Sequence, residues 1–163
     1  MVVLGWLVLG FLLGSLIEWS AHRYLLHNFS LKRLSHAHFR IHHRNCRKNH
    51  GFDDDYVALL PRDYDHGWSE IIFLAVGVLL AIPLAFLSVW LWIALLMHAV
   101  LYYVLHRKFH LEPEWGKKYM PWHWEHHMGK NQNANWGVTN PIFDWIFKTR
   151  DRGDAKRIIR KPE

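Results

Sequence analysis

The 163-residue chain has one cysteine, Cys46. That excludes an intrachain disulfide and a cysteine-rich metal site, so Cys46 reads as an incidental thiol. Two long stretches contain no charge at all: residues 1–17 (MVVLGWLVLGFLLGSLI) and residues 71–105 (IIFLAVGVLLAIPLAFLSVWLWIALLMHAVLYYVL). No G-x-G-x-x-G fingerprint occurs, so no dinucleotide site is expected in this chain. A net charge of +6 invites a nucleic-acid partner, but no nucleic-acid motif accompanies it. The basic residues flank the apolar stretches and suit anionic headgroups better. Residues 1–17 also lack the marks of a secretory signal: no basic segment leads them, and Glu18-Trp19 follow where a cleavage site would place small residues.

What the chain has is segregation. Half of it is apolar, yet its mean hydropathy is near zero. Residues 71–105 as one helix would run ~52 Å, at about 1.5 Å per residue, against a hydrocarbon core of roughly 30 Å. They therefore read as a hairpin bent near Pro83, because proline breaks the helix it interrupts. The expected fold is an all-α integral membrane protein, one domain over residues 1–163. Its three spans are about residues 1–20, 71–87 and 88–105, with a helical cap from residues 21–70 and 106–163. Lys and Arg concentrate in those two cap segments, which places the cap on the cytoplasmic side of a bacterial inner membrane or an ER-like membrane. Along the cap, residues 31–44 read as a polar helix and 45–55 as a charged solvent loop. Segment 56–70 reads as an interfacial piece, 111–121 as a Pro- and Gly-punctuated connector and 129–140 as a loop. Pro141 opens a final short helix, and the tail 151–163 is charged. Ten tryptophans, five of them at 115, 122, 124, 136 and 145, suggest interfacial anchoring.

Fourteen histidines are present, and ten fall into four clusters: His22 and His27; His38, His42 and His43; His106 and His110; His123, His126 and His127. Histidine is the commonest transition-metal ligand. An even number of crossings between the second and third clusters brings all four to one membrane face. On an ideal helix residues four apart nearly share a face, so His38 pairs with His42 and His106 with His110. Adjacent His43 is turned by about 100°, so a paired HH points at two neighbouring metal positions. His22 and His27, five apart, need a distorted or terminating helix to act together. His36 is an alternative to His38. His50, His66 and His98 lie outside the pattern, and His98 sits within the hairpin. Glu18 and Glu125 are candidates to accept a hydrogen bond from a ligand's second ring nitrogen.

The order HxxxxH, HxxxHH, HxxxH, HxxHH around a membrane hairpin resembles the fatty acid hydroxylase/sterol desaturase superfamily of membrane di-iron oxidases. The ending NWGVTNPIFDWIFKT resembles the same family at Asn135, Gly137, Pro141, Asp144, Phe147 and Thr149. The resemblance covers about residues 18–149. It departs in the second box, often HxxHH in the family, and in a small size similar to that of bacterial carotene hydroxylases. It implies two iron ions on the ten clustered histidines, with zinc able to substitute, supporting roles for Asn135 and Asp144, and O₂ as co-substrate. It further implies hydroxylation of an unactivated C–H bond of a membrane lipid (fatty acyl, sterol or carotenoid). Electrons would come from a separate donor, a ferredoxin or a cytochrome b5-like protein with an NAD(P)H reductase. The rival readings are a desaturase using the same site, a metal transport or storage protein, and a haem-binding electron carrier. Transport would need ligands along the bilayer path, where only His98 lies, and a haem would leave eight clustered histidines unexplained.

Overall fold

The structure, a computed structural model, describes residues 2–58 and 67–153, without the side chains of 67–69. His66, part of the 56–70 segment and the end of the charged tail lie outside the described residues. Every regular element among them is helical. Helix α1 (Val2–Ala21) continues into a wider π-helical turn (His22–Leu26). A polar helix follows in three parts: α2 (Lys32–Ser35), a π-helical segment (His36–His42) and α3 (His43–Lys48). After a short 3₁₀ turn (Asp54–Tyr56) come α4 (Gly67–Leu80), a 3₁₀ turn (Ile82–Phe86) and α5 (Val89–Leu111). Three short helices close the chain: α6 (Pro113–Tyr119), α7 (Pro121–Met128) and α8 (Ile142–Ile146).

The apolar stretches become the framework. Two helical runs, Val2–Leu26 and Val89–Leu111, are long and apolar enough to cross a membrane. Their outward residues are those of a lipid-facing surface: Leu4, Val8 and Leu12 on α1, and Met97, Val100 and Val104 on α5 are all exposed. Water would penalise such continuous apolar faces, and a bilayer does not. The hairpin bends where proline predicts. Pro83 sits at the start of the 3₁₀ turn, and an extended Ser88 resets the chain before α5. The first leg is shorter than expected, since α4 has 14 residues, ~21 Å at about 1.5 Å each. Trp92 Nε1 donates to Val78 O at 3.3 Å and ties the two legs.

Helices α1 and α5 meet through glycine. A Cβ on Gly10 would lie 2.5 Å from Ala94 Cβ, and one on Gly14 would lie 2.6 Å from His98 Cγ. These residues form a small-xxx-small pattern, which lets helix backbones approach closely in a membrane. Because His22 follows α1 and His106 and His110 end α5, both helices run toward the histidines. Helix α4 begins there, with Glu70 bonded to His106, and runs away.

The connector 111–121 is helical, contrary to expectation. Pro113 occupies the first turn of α6, where its missing N–H is harmless. Gly116 lets α6 lie against the Phe109 ring, 2.5 Å from where its Cβ would be. The tryptophans also divide. Trp145 is exposed, but Trp136 is buried, and Trp115, Trp122 and Trp124 pack against the Phe109 core.

Gly10→Leu is expected to destabilise the protein by about 1–3 kcal/mol through overpacking. Gly5→Leu, where a Cβ would meet nothing within 4 Å, should cause no loss. Thermal unfolding of the two variants in detergent reads the difference.

Candidate metal centre

Ten histidines converge where α1, the polar helix, α5 and α7 meet. His22, His27, His38, His43 and His126 form one group, each offering a ligand nitrogen within 4.8 Å of the others. His106, His110, His123 and His127 form a second. His42 joins this second side, with ring centroids 4.5 Å from His110 and 4.8 Å from His127. All ten are buried. Each HH pair is divided between the groups: His42 from His43, and His126 from His127.

The wider helical turns explain the partition of His22, His27, His38, His42 and His43, while His126 and His127 separate by the ordinary ~100° step of the α-helix α7. A π-helical turn bonds residue i to i+5, as His27 N does to His22 O at 3.2 Å. Residues five apart therefore stack, which brings His22 and His27 together (ring centroids 5.1 Å). The same device over His36–His42 corrects the ideal-helix expectation. His38 pairs with His43, five residues on, with Nε2 atoms 3.3 Å apart, and His42 turns to the other group. His36 is exposed and belongs to neither group.

The spacing of the Nε2 atoms is informative. Five pairs approach closely: His22–His38 at 2.9 Å, His38–His43 at 3.3 Å, His43–His126 at 3.2 Å, His106–His110 at 3.1 Å and His123–His127 at 3.1 Å. With metal–nitrogen bonds of about 2.0–2.1 Å, two nitrogens on one ion sit about 2.9 Å apart at a right angle and about 3.4 Å apart in a tetrahedron. The observed pairs fall in that interval.

Tautomers make the same point. His22 Nδ1 donates to Trp136 O (2.6 Å), His110 Nδ1 to Gly51 O (2.9 Å) and His126 Nδ1 to Ala134 O (2.7 Å). His42 Nδ1 donates to Asp53 Oδ2 (2.8 Å) and His106 Nδ1 to Glu70 Oε1 (2.6 Å). A neutral ring that donates from Nδ1 carries its lone pair on Nε2. His106 and His110 thus aim two lone pairs at each other across 3.1 Å, which is repulsive unless a cation takes both. His27 Nε2 is buried and has no hydrogen-bond partner, inside a ring of four other imidazoles. The donor set fits transition-metal ions in both groups.

Burial keeps the rings in the ligating form. Loss of hydration, reinforced by neighbouring imidazoles, pushes His38, His43, His123 and His127 well below the usual histidine range. Burial does the same to His126, and it pushes His27 down to about 2. Asp53, fully buried beneath His42, is pushed up to about 7 by burial, against the pull of its bond from Asp55 N–H. Cys46 is also fully buried, 3.4 Å from His110 Nδ1. Burial raises its thiol well above the ordinary range, so it packs behind the imidazoles as a neutral group.

The groups that hold the rings were largely unmarked in the sequence. Asp53 lies in the stretch read as a solvent loop. Glu70 heads an apolar run and also accepts from Tyr56 Oη at 2.7 Å. The Gly51, Ala134 and Trp136 carbonyls are main chain and leave no trace in residue type. Gln132 Nε2 lies 3.0 Å from His43 Nδ1. The expected carboxylates act elsewhere. Glu18 accepts from Val138 N and from Thr139 N and Oγ1, and from His98 Nε2 at 3.1 Å, so it fastens the C-terminal loop to α1 and α5. Glu125 makes no described hydrogen bond to a histidine and lines a polar surface pocket with Asn131 and Asp151. Asp144 accepts from Trp19 Nε1, Trp136 N and Gly137 N and thereby sets the carbonyl that orients His22. Asn135, in a left-handed conformation (φ 59°), accepts from Arg150 Nη1 and Asp151 N.

A cleft of about 130 Å³ reaches the histidines from between α1, α4 and α5, with His22, His38 and His106 at one end. Its remaining wall is mostly apolar, including Ile17, Phe73, Leu74, Val78 and Leu95.

Asp53→Ala and Glu70→Ala should each weaken metal retention 10–100-fold, the usual cost of losing the group behind a ligating histidine. Competition with a chelator measures this. In metal-free protein, the unfolded chain takes up protons at these histidines below about pH 6.5 and the folded chain does not. Stability therefore falls as pH drops through that value, because each of these lowered histidines favours the unfolded chain there. Asp53 alone acts in the opposite sense. Unfolding midpoints at pH 7.5 and 5.5 test the sign.

The sequence model of the fatty acid hydroxylase family matches residues 7–149. No curated protein and no solved structure matches the chain.

Proposed function

The chain belongs to the fatty acid hydroxylase family, and from that premise we propose that it is a di-iron oxygenase that hydroxylates an unactivated C–H bond of a membrane lipid. The observation that carries this reading is the pair of histidine groups whose Nε2 atoms lie 2.9–3.3 Å apart at the end of an apolar cleft. One iron is held by His22, His27, His38, His43 and His126, and the other by His42, His106, His110, His123 and His127. Bound iron supplies the binding and reduction of O₂. Zinc, which the same donors accept, would replace it in purified protein without the redox chemistry.

The chain's own residues orient, exclude and position. Five Nδ1–H bonds fix which nitrogen His22, His42, His106, His110 and His126 present. Burial of all ten imidazoles keeps bulk water from the reacting centre. The cleft receives the apolar part of a lipid and lays it against His22, His38 and His106. The reaction balances as one C–H bond and one O₂, with two electrons and two protons, giving an alcohol and water. The electrons come from a separate carrier protein, a ferredoxin or a cytochrome b5-like protein. In this reading α1 and the two legs of the hairpin act as three spans, and the Lys- and Arg-rich cap supports a cytoplasmic centre.

The iron-loaded protein in an expressing host should yield lipids heavier by about one oxygen mass than those of a host lacking it. Products lighter by two hydrogens would make it a desaturase instead, and an unchanged lipid profile together with no bound metal would sink the reading. His42→Ala, His43→Ala, His126→Ala and His127→Ala should each abolish product, whereas His36→Ala, at an exposed position, should not.

A further inference from the structure

The cleft is lined along the helices that flank it. On α4 the lining positions are 70, 73, 74, 77 and 78, one face followed for two turns, with Ala81 just past the helix end. The helical positions span ~12 Å at about 1.5 Å per residue. Facing stripes come from α1 and α5. The histidines close one end, and Gly77, Ala81 and Gly14 lie toward the other.

Gly77 stands out among these. Glycine is unfavourable in a helix interior, and most helical glycines here have a packing reason. Gly10, Gly14 and Gly116 each sit where a Cβ would strike a neighbour at 2.5–2.6 Å. A Cβ on Gly77 would meet nothing within 4 Å, yet the residue lines the cleft. No part of the fold needs the space it leaves.

We propose that Gly77 is a specificity-determining residue: its missing side chain lets an unbranched acyl chain extend past the middle of α4, so Gly77 sets the length of chain that the cleft accepts. The inference rests on the oxidase reading for identifying the cleft as the substrate site, but its test reads binding alone. Alkyl carbons beyond the level of residue 77 would be lost to a shorter cleft, and each buried methylene contributes about a fourfold factor in affinity.

The experiment compares radiolabelled palmitate and octanoate binding to zinc-loaded protein in detergent, for the wild type, Gly77→Phe, Gly77→Val and the control Gly5→Phe. Gly5 is also without neighbours within 4 Å but lies outside the cleft. The wild type should prefer palmitate. Gly77→Phe should weaken palmitate about 15-fold, two methylenes' worth, and octanoate less than about twofold, with Gly77→Val between. Gly5→Phe should change neither. A palmitate-to-octanoate ratio that Gly77→Phe and Gly77→Val leave as in the wild type overturns the proposal, as does an equal effect of Gly5→Phe or a wild type without preference. Length discrimination in a protein that, iron-loaded and reduced, oxidises no lipid would sink the oxidase reading and leave the cleft assignment standing. Oxidation with an unaltered length profile in Gly77→Phe does the reverse.

Discussion

Ten imidazoles packed together without water impose one constraint from which most of the architecture follows. Charged rings at that density would repel and would lack hydration, so they must be neutral. A neutral imidazole has one donor and one acceptor nitrogen, and both need partners. For five of the rings the protein meets the donor side with oxygens placed behind them: the Trp136, Gly51 and Ala134 carbonyls and the Asp53 and Glu70 carboxylates. The acceptor side is turned inward, where lone pairs face lone pairs. Only cations relieve that arrangement, so metal binding and structural stability share the same residues.

Elements that look peripheral serve this constraint. The C-terminal loop is irregular because its task is to present the Ala134 and Trp136 carbonyls at fixed points. Asp144 gathers the loop's N–H groups, and Glu18 pins its far side to the spans. The two π-helical segments are the helical counterpart. By changing the angular step they bring His27 and His43 into the first group and turn His42 to the second, whereas His126 and His127 diverge by the ordinary step of the α-helix α7.

Much of this was legible in the sequence, for stated reasons. The apolar stretches fixed α1 and the hairpin, and Pro83 fixed the bend. The four clusters named the residues that come together, and burial separates His38 from His36. The angular rule failed at His38 because it assumed 3.6 residues per turn. The acidic loop around Asp53 was misread because three consecutive aspartates usually favour water. Glu18 and Glu125 were chosen by closeness in sequence to a histidine, whereas the carboxylates that reach ring nitrogens come from 11 and 36 residues away. The carbonyl acceptors could not be read at all, since every residue has one. The seam between α1 and α5 went unread in the sequence, although Gly10 and Gly14 have the small-xxx-small spacing of close helix contacts.

The two groups are built by exchange across the chain. One takes four histidines from residues 22–43 and borrows His126; the other takes four from residues 106–127 and borrows His42. During synthesis, the first group is complete only at residue 126 and the second at residue 127, after both uncharged stretches have been made. A chain cut before α7 therefore lacks His126 from one group and His123 and His127 from the other.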